Sequence, residues 1–216
     1  SSPQTAVRTH GHFYPSCTSK CGPLLKYMVN GISTESPDLQ LYKGISPAII
    51  FEDKEIIVVE KPSGMPSVPG LDGRISMQEH LEHIYGQTIH AVHRLDMDTS
   101  GIMLFAKTHQ AAINLRRQFE DHTVRKTYIA RVSGTVIETG RIRLPLSPDY
   151  DERPRQKVDT KQGKPACTEY EIASKNPDGT TDLLLYPHTG RTHQLRVHCA
   201  HTLGLGCPII GDMLYG

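Results

Sequence analysis

The segment from Ala91 to Gly101, AVHRLDMDTSG, places one cation and two acids in a short polar stretch between two apolar runs. A single carboxylate such as Asp96 acts as a nucleophile or general base when its surroundings keep it ionised and aimed into a cleft. An aspartate in a turn more often accepts hydrogen bonds from its own backbone. Arg94 lies two residues earlier, and on an extended segment both side chains share one face. The segment is therefore a candidate catalytic turn, with an ordinary surface loop as the alternative.

The same turn leaves room for two other chemistries. Asp96 and Asp98 could form the acid and base pair of a glycoside hydrolase, although their spacing in the chain does not set their separation in space. Thr99 or Ser100 could supply a nucleophile, but DTSG lacks the G-x-S-x-G elbow of hydrolases.

Histidines cluster in HQLRVHCAH, where His198 and His201 are three residues apart on a predicted helix. Two histidines at this spacing could share a metal ion. The sequence contains no H-E-x-x-H pattern, and the polar positions of an ordinary helix are the favoured interpretation. No metal site is predicted.

Arg191 follows a glycine at the predicted start of that helix. A cation there opposes the helix dipole, which costs roughly a few tenths of a kcal/mol. An ion pair across a cleft would offset this cost, and Asp96 is the natural partner. Tyr128 lies between cations in RKTYIAR. A strand tyrosine usually packs in the core, but at the rim of a cleft it can stack on a nucleobase.

The bulk composition excludes few classes of protein. The five cysteines are odd in number and irregularly spaced, which favours a reduced, cytoplasmic chain. Cys17 and Cys21 resemble half of a zinc knuckle, but no second cysteine pair follows them. No run of about 18 apolar residues occurs, so we predict no membrane span. The formal net charge of +1 does not by itself predict a nucleic-acid partner.

Local charge is more informative, because the stretch 153–164, RPRQKVDTKQGK, holds five cations and one acid. Such a cluster could follow a phosphate backbone, with Arg155 and Lys157 as the expected contacts. A solvated hairpin explains the charge alone equally well.

The pattern of elements predicts an α+β fold, with a mainly antiparallel, mixed sheet and flanking helices. Residues 48–61 read as a hairpin, and Ser76 with Glu79 forms a capping-box signature for a helix that Gly86 ends. Thr108 is the expected cap of a second helix. RIRLPL reads as one alternating strand, and Leu195, Cys199 and Leu203 read as one face of a third helix.

Two regions are expected along the chain. Residues 1–46 are rich in Pro, Gly, Ser and Thr and read as an N-terminal extension without a recognised domain. Residues 47–216 read as the catalytic domain, which ends without a closing element after the apolar pair Ile209–Ile210. We therefore expect this domain to be truncated at its C-terminus.

Taken together, the motifs resemble those of the RNA pseudouridine synthases of the RluA type. The resemblance rests on HRLDMDTSGIMLFAKT, KTYIA, GRTHQLRVH, EKPSGMPSVPG and HTLGLGCPIIGDMLYG, which occur in the family's order over most of the chain. His93 favours the RluA type, because the related RsuA type usually has glycine at that place. RPRQKV and GKPACTEYE also resemble the RluA branch.

This resemblance implies an isomerase acting on rRNA or tRNA stem-loops, with a central catalytic cleft and no cofactor. The enzyme flips a uridine out of the RNA, breaks its glycosidic bond, rotates the base and rejoins it through carbon 5. Four residues match the family's functional positions, and Lys126 is an expected RNA contact beside them. The matches are the essential aspartate (Asp96), the tyrosine that stacks on uracil (Tyr128), the arginine that pairs with the aspartate (Arg191) and the residue that replaces the flipped base (Arg94).

Three alternatives stay open at this level. The chain could be a non-catalytic RNA-binding relative, a metal-dependent hydrolase built on His198, His201 and Asp96, or a folded but inactive fragment. A monomer is expected. The sequence does not identify the target RNA.

Overall fold

Antiparallel sheets and three helices make up the part of the chain that the computed structural model describes, namely residues 7–9, 47–70 and 73–216. The α+β prediction is confirmed, and every strand pairing in these ranges is antiparallel rather than mixed. The expectation for Cys17 and Cys21 lies outside the described residues. In chain order the elements are β1 (Val7–Thr9), β2 (Ala48–Glu52), β3 (Ile56–Lys61), α1 (Met77–Tyr85), β4 (His90–Ala91), β5 (Gly101–Ala106), α2 (His109–Glu120), β6 (Tyr128–Val132), β7 (Gly140–Ile142), β8 (Leu146–Pro148), β9 (Gln156–Val158), β10 (Thr168–Lys175), β11 (Thr181–Pro187) and α3 (Gln194–Ala200).

One sheet has four strands in the order β2-β3-β5-β4, and helices cover both of its faces. Ile57 and Val59 point to one face, where they join the core that includes Leu81 of α1. Val58 points to the other face and packs with Ala112 of α2. Because alternate residues of β3 are buried on opposite sides, the strand reads as a continuous apolar run.

Local sequence explains where these two helices begin. Ser76 Oγ accepts a hydrogen bond from the Glu79 N–H, and the Glu79 carboxylate accepts from the Ser76 N–H, so the predicted capping box is confirmed. Gly86 ends α1 in the left-handed region at φ 61°. Thr108 caps α2 by accepting from the Ala111 N–H at 3.2 Å.

The second sheet has five strands in the order β1-β6-β11-β10-β7. Its core includes Ala130, Leu183 and Cys199, the last of which belongs to α3. Strand β1 pairs with β6, so three residues of the predicted extension lie on the edge of this sheet. Tyr128 packs against the cores of both sheets and therefore marks the junction between them.

Two sequence expectations are wrong in detail. Helix α3 ends at Ala200, and Leu203 is 67% exposed instead of continuing the apolar face. The chain turns at this point, because the N–H groups of Gly204 and Gly206 both bond to the carbonyl of His201. RIRLPL is not one strand, since β7 and β8 belong to different sheets. Pro145, between them, has no N–H to donate to a ladder.

Candidate active site

The predicted catalytic turn is the loop between β4 and β5, and a second loop holds it in shape. Ser67 Oγ donates to the carbonyl of Leu95 at 2.6 Å and accepts from the N–H of the same residue at 3.0 Å. Ser63 Oγ donates to the carbonyl of Asp98 at 2.8 Å. Leu95 is buried in the core beneath the four-stranded sheet. Asp96 is therefore the neighbour of an anchored residue and not part of a free surface loop.

Lys61 is the centre of this anchorage. Its side chain is fully buried, and its ammonium group donates to the carbonyls of Pro62 at 2.8 Å, Met65 at 2.7 Å and Met97 at 2.8 Å. Burial lowers the pKa of Lys61 to about 8, against the opposing pull of Asp98 and Asp96. One side chain thus ties the end of β3, the following loop and the catalytic turn together.

His93 fixes the other end of the turn. Its Nε2 accepts a hydrogen bond from the Leu104 N–H at 3.0 Å, and its ring stacks on Phe119 of α2 with 4.7 Å between centroids. Burial, assisted by the nearby Lys126, lowers the pKa of His93 to about 4. The imidazole is therefore neutral at physiological pH and acts as a hydrogen-bond acceptor that packs.

Asp96 faces a cation from the other half of the molecule. Arg196 Nη1 lies 3.5 Å from Asp96 Oδ2, while the same guanidinium binds Asp212 through two hydrogen bonds of 2.7 Å each. The Arg196 side chain is 15% exposed and that of Asp212 only 3%. The pKa of Arg196 rises through the bonds to Asp212 and the charge of Asp96, although burial opposes this. Arg196 is thus a permanent positive charge held in place by Asp212.

The predicted ion pair between Arg191 and Asp96 is not formed. Arg191 lines the cleft, but its Nε donates to the carbonyl of Pro165 at 3.1 Å. The reason is local, because α3 begins only at Gln194 and Arg191 belongs to the preceding turn. The buried amide of Gln194 accepts from the Arg191 N–H at 3.0 Å and holds that turn against the helix start.

Tyr128 and Lys126 lie in the cleft with Asp96, as predicted. The cavity has a volume of about 690 Å³, within the range of roughly 300–1,000 Å³ typical of ligand pockets. Burial and the charge of Asp96 raise the pKa of Tyr128 to about 12, so its phenol stays neutral. Burial lowers the pKa of Lys126. The cleft therefore brings together an aromatic ring, a carboxylate and a partly desolvated amine.

Arg94 also lines this cavity, at its exposed side. Its guanidinium makes a hydrogen bond of 3.2 Å to Thr192 Oγ1, across the cleft from its own loop. A long side chain with one neutral partner is free to exchange that contact for another.

Arg155 and Lys157 lie apart from the cavity, on the hairpin of β8 and β9. Each has an acidic neighbour, since Arg155 pairs with Glu152 and Lys157 Nζ lies 3.4 Å from Asp149. The hairpin nevertheless reaches the edge of the site, because the N–H of Gln156 donates to the hydroxyl of Tyr215 at 2.7 Å. That hydroxyl lies 2.8 Å from Nδ1 of His193, which lines the cavity.

The alternative metal centre is not assembled. Both ring nitrogens of His198 are engaged by the protein, with Thr168 Oγ1 at 2.9 Å and the carbonyl of Leu144 at 3.1 Å. His201 accepts from the Leu203 N–H instead. Within residues 47–70 and 73–216, no three His, Cys, Asp or Glu side chains are grouped to hold a metal ion. No helix in those ranges is long and apolar enough to cross a bilayer.

Sequence reasoning missed four residues of the site, namely Arg196, His193, Asp212 and Tyr215. Arg196 stands in GRTHQLRVH, five residues after the arginine that was predicted to pair with Asp96. A position inside a helix carries no signal that it faces a carboxylate about a hundred residues away. Asp212 and Tyr215 lie in the GDMLYG segment, which contributed to the family resemblance without indicating a role for either side chain.

Fold and cleft together place one carboxylate, Asp96, beside a buried arginine in a cavity of the size that binds ligands. Residues 55–201 match the family model described as RNA pseudouridylate synthase. The dual-specificity RNA pseudouridine synthase RluA of Yersinia pestis is 46% identical over 170 residues, which cover 77% of this chain and 81% of the relative. The protein of the same name from Escherichia coli (strain K12) is 45% identical over 170 residues, covering 77% and 76%.

Solved structures agree with these relatives. Human RNA Pseudouridylate Synthase Domain Containing 1 superposes with a TM-score of 0.67 at 29% identity, covering 79% of this chain and 70% of that one. Human RNA Pseudouridylate Synthase Domain Containing 4 gives 0.64 at 26% identity, with coverages of 78% and 69%. The chain belongs to the RNA pseudouridylate synthase family, and its enzyme class is that of the isomerases.

Replacing Lys61 by methionine tests the anchorage of the catalytic turn. We expect Lys61→Met to lower the free energy of unfolding by about 1–3 kcal/mol, because buried carbonyls lose their donor. Relief from burying an ammonium group offsets part of that loss. Urea unfolding at neutral pH measures it, with Lys54→Met as the matched control at an exposed lysine. Equal stability of both variants would contradict the role of Lys61.

The difference in stability between wild type and Lys61→Met should also depend on pH. The pKa of Lys61 is about 8 in the folded chain against 10.5 for an ordinary lysine, so the unfolded chain binds more protons between these values. The Lys61 contribution to stability therefore rises with pH across that window. The stability difference between wild type and Lys61→Met should grow from pH 8 to pH 10, and a flat difference would contradict the lowered pKa.

Proposed function

We propose that this protein converts specific uridines of structured RNA to pseudouridine, with Asp96 as the essential carboxylate. The observation that carries the proposal is the convergence of Asp96, Arg196 and Tyr128 in one cleft of a chain from this family. The relatives bear the name dual-specificity RNA pseudouridine synthase, which supports action on more than one RNA. We propose rRNA and tRNA stem-loops as the substrates.

The reaction exchanges one bond for another within a single nucleotide. The bond from ribose C1′ to uracil N1 breaks, the base rotates, and a bond from C1′ to C5 replaces it while the C5 proton leaves and N1 gains one. Base and sugar keep all their atoms, so no co-substrate is needed. The catalyst must hold the base out of the helix and supply a carboxylate that attacks the nucleotide or removes a ribose proton.

Residues along the cleft suit the task of base flipping, which costs a few kcal/mol of unstacking. Arg94 can leave Thr192, its neutral partner at 3.2 Å, and fill the gap in the RNA stack. The Tyr128 phenol, neutral and held between the two cores, can stack on the flipped uracil. Lys126 beside it can meet a phosphate of the flipped nucleotide, where burial makes an ion pair more favourable.

The arrangement around Arg196 keeps Asp96 reactive. The guanidinium makes its two short hydrogen bonds to Asp212 and only a contact of 3.5 Å to Asp96. A short bidentate pair with Asp96 itself would occupy both carboxylate oxygens. The longer contact keeps a positive charge beside the carboxylate while leaving its oxygens free to approach the substrate.

Several finer points complete the proposal. The proposed catalytic unit is residues 47–216, which contain the cleft residues from Val92 to Ile209 as well as Lys61 and Ser67, the anchors of the catalytic turn. We propose a monomer that works in the cytoplasm, where its RNA substrates are made, and that needs neither metal nor cofactor. The engagement of both nitrogens of His198 by Thr168 and Leu144 supports the metal-free reading.

Replacing the essential carboxylate is the direct test. Asp96→Asn should abolish pseudouridine formation while RNA affinity stays within a few fold, because the amide keeps the shape but not the charge. Unmodified rRNA and tRNA would be incubated with each protein and read by carbodiimide labelling with primer extension. Asp98→Asn, two residues away in the same turn, is the matched control and should stay active. Turnover by Asp96→Asn would refute the proposal.

A comparison of the two arginines tests the geometry. We expect Arg196→Lys to lower kcat by about 100-fold, since a preorganised charged donor contributes on this scale. The lysine keeps a charge beside Asp212 but not the two-pronged geometry. Arg191→Lys should stay within a few fold of wild type. Single-turnover kinetics on one stem-loop gives both values, thermal unfolding verifies the fold, and the reverse order would restore the role first predicted for Arg191.

The basic hairpin is the third test. The double variant Arg155→Gln with Lys157→Gln should weaken RNA binding and flatten its dependence on salt, by about one unit of log–log slope for each phosphate that the protein no longer neutralises. Fluorescence anisotropy over a salt series measures this change. Lys54→Gln with Lys175→Gln removes two exposed cations elsewhere, and an equal effect of that pair would indicate general charge rather than a hairpin contact.

A further inference from the structure

His193 occupies an unusual position at the start of α3. Its backbone lies in the left-handed region, with φ 53° and ψ 19°, and its side chain caps nothing. Histidine is one of the few residues that enter this region in appreciable numbers. The side chain is only 11% exposed and lies between Asp96 and Tyr215. This backbone turn therefore aims an imidazole into the catalytic cleft.

Both ring nitrogens of His193 have neighbours in the site. Nδ1 lies 2.8 Å from the hydroxyl oxygen of Tyr215, and Nε2 lies 4.0 Å from Asp96 Oδ2. The same hydroxyl oxygen accepts the N–H of Gln156 at 2.7 Å. A line of polar contacts thus runs from strand β9 through Tyr215 and His193 to the carboxylate.

The groups that can donate a proton decide the direction of each hydrogen bond along this line. The Gln156 N–H is an obligatory donor, so it occupies a lone pair of the Tyr215 oxygen. Burial is the largest cause raising the pKa of Tyr215, so its phenol keeps a proton, and Nδ1 of His193 is the neighbour that can accept it. An imidazole that accepts at Nδ1 carries its proton on Nε2. That proton then faces the negative charge of Asp96.

We propose that His193 is a positioning residue that donates its Nε2–H to Asp96 once RNA is bound, with Tyr215 and Gln156 selecting the required tautomer. This inference rests on the proposed function, and it adds a second donor to the carboxylate besides Arg196. The separation of 4.0 Å is too long for a hydrogen bond in the free protein. Catalytic hydrogen bonds are often long without substrate and shorten in the complex.

The link to β9 supplies a route for that shortening. Gln156 lies between Arg155 and Lys157 on the hairpin proposed to contact RNA, and its N–H holds Tyr215. A shift of the hairpin toward a phosphate backbone moves Tyr215, and with it the ring of His193. In this proposal, the contacts of Gln156, Tyr215 and His193 couple engagement of RNA on the hairpin to the orientation of Asp96.

Neighbouring charges set the protonation of the ring. Burial is the main cause that lowers the pKa of His193, and Arg196 and Arg94 lower it further. Asp96 and Asp212 oppose them. A neutral ring at physiological pH follows from the balance, and a neutral ring is what a hydrogen bond from Tyr215 to Nδ1 requires.

The tautomer is tested first, without any activity measurement. Long-range ¹⁵N–¹H correlation spectra of the ¹⁵N-histidine-labelled protein distinguish a protonated ring nitrogen from a bare one. The His193 signals are identified by their loss in His193→Asn, a substitution that tolerates the left-handed backbone. We expect a bare Nδ1 and a protonated Nε2 in wild type, and a mixture of tautomers in Tyr215→Phe. The opposite tautomer in wild type would overturn the proposal.

Kinetics then separate positioning from packing. His193→Asn should lower kcat on a substrate stem-loop by about 10-fold with little change in KM, since a hydrogen bond to a charged group contributes on that scale. His193→Gln should recover part of the loss, because a glutamine amide nitrogen reaches the place of Nε2 and an asparagine amide does not. If the His193 ring only fills space, asparagine and glutamine should replace it equally poorly. Equal losses of kcat in the two variants would therefore overturn the proposal.

The pH profile gives an independent reading. In Tyr215→Phe the Nδ1 atom no longer receives a hydrogen bond and can take a second proton next to Asp96. The imidazolium formed in this way would hold the carboxylate in a tight ion pair, so kcat should fall toward acid pH in this variant. Wild type and His193→Asn should lack this acidic fall, and Tyr186→Phe, which removes a hydroxyl hydrogen-bonded to Glu171, is the matched control. An unchanged profile for Tyr215→Phe would overturn the coupling. Absence of turnover in wild type would count against the proposed function, while the spectra would still test the tautomer.

Discussion

The guanidinium of Arg196 is shared unequally between two carboxylates, and the site depends on this division. Its strong, two-pronged bond goes to Asp212, which is almost fully buried, so the position of the cation is set before any substrate arrives. Its weaker contact goes to Asp96, which belongs to the other half of the fold. A buried ion pair is weak evidence for stability. Here the pair joins the two halves of the fold at the point where Asp96 faces the cleft.

Placement of Asp96 requires the four-stranded half to be equally rigid. Polar contacts from the end of β3 and from the loop after it provide that rigidity, since Lys61 and Ser67 bond to the backbone of the catalytic turn itself. Backbone carbonyls are acceptors that any residue can offer, so these contacts do not depend on the side chains of Arg94 and Asp96. The side chains of Arg94 and Asp96 are therefore not needed to hold the turn and can face the cleft.

Burial sets the protonation of the groups in the cleft. Burial lowers the pKa of Lys126 and holds the Tyr128 phenol neutral, while His93 is held as a neutral acceptor. Such groups respond strongly to a phosphate or a nucleobase, because electrostatic interactions strengthen as water leaves. These buried groups suit the RNA substrate proposed above, because a phosphate or a base that enters the cleft would meet them with little water between.

Much of the fold follows from interactions between residues that are close together in the sequence. Three such features are present in the structure: the capping box at Ser76, the cap at Thr108 and the apolar run of β3, which is buried on both faces. The polar stretch around Asp96 was visible in the same way, but an ordinary surface loop explained it equally well until the order of the motifs was considered. The order of the motifs indicated the family, and the family model and the relatives agree with that assignment.

Tertiary structure alone decided which groups meet Asp96. The choice between Arg191 and Arg196 depends on where α3 begins, and that start is set by the buried amide of Gln194. The contacts of His193 with Asp96 and Tyr215 join segments that are far apart in the chain. Sequence patterns describe periodicity within an element and chemistry within a motif. They contain no information on the distances between elements, and those distances decide which side chains lie beside Asp96.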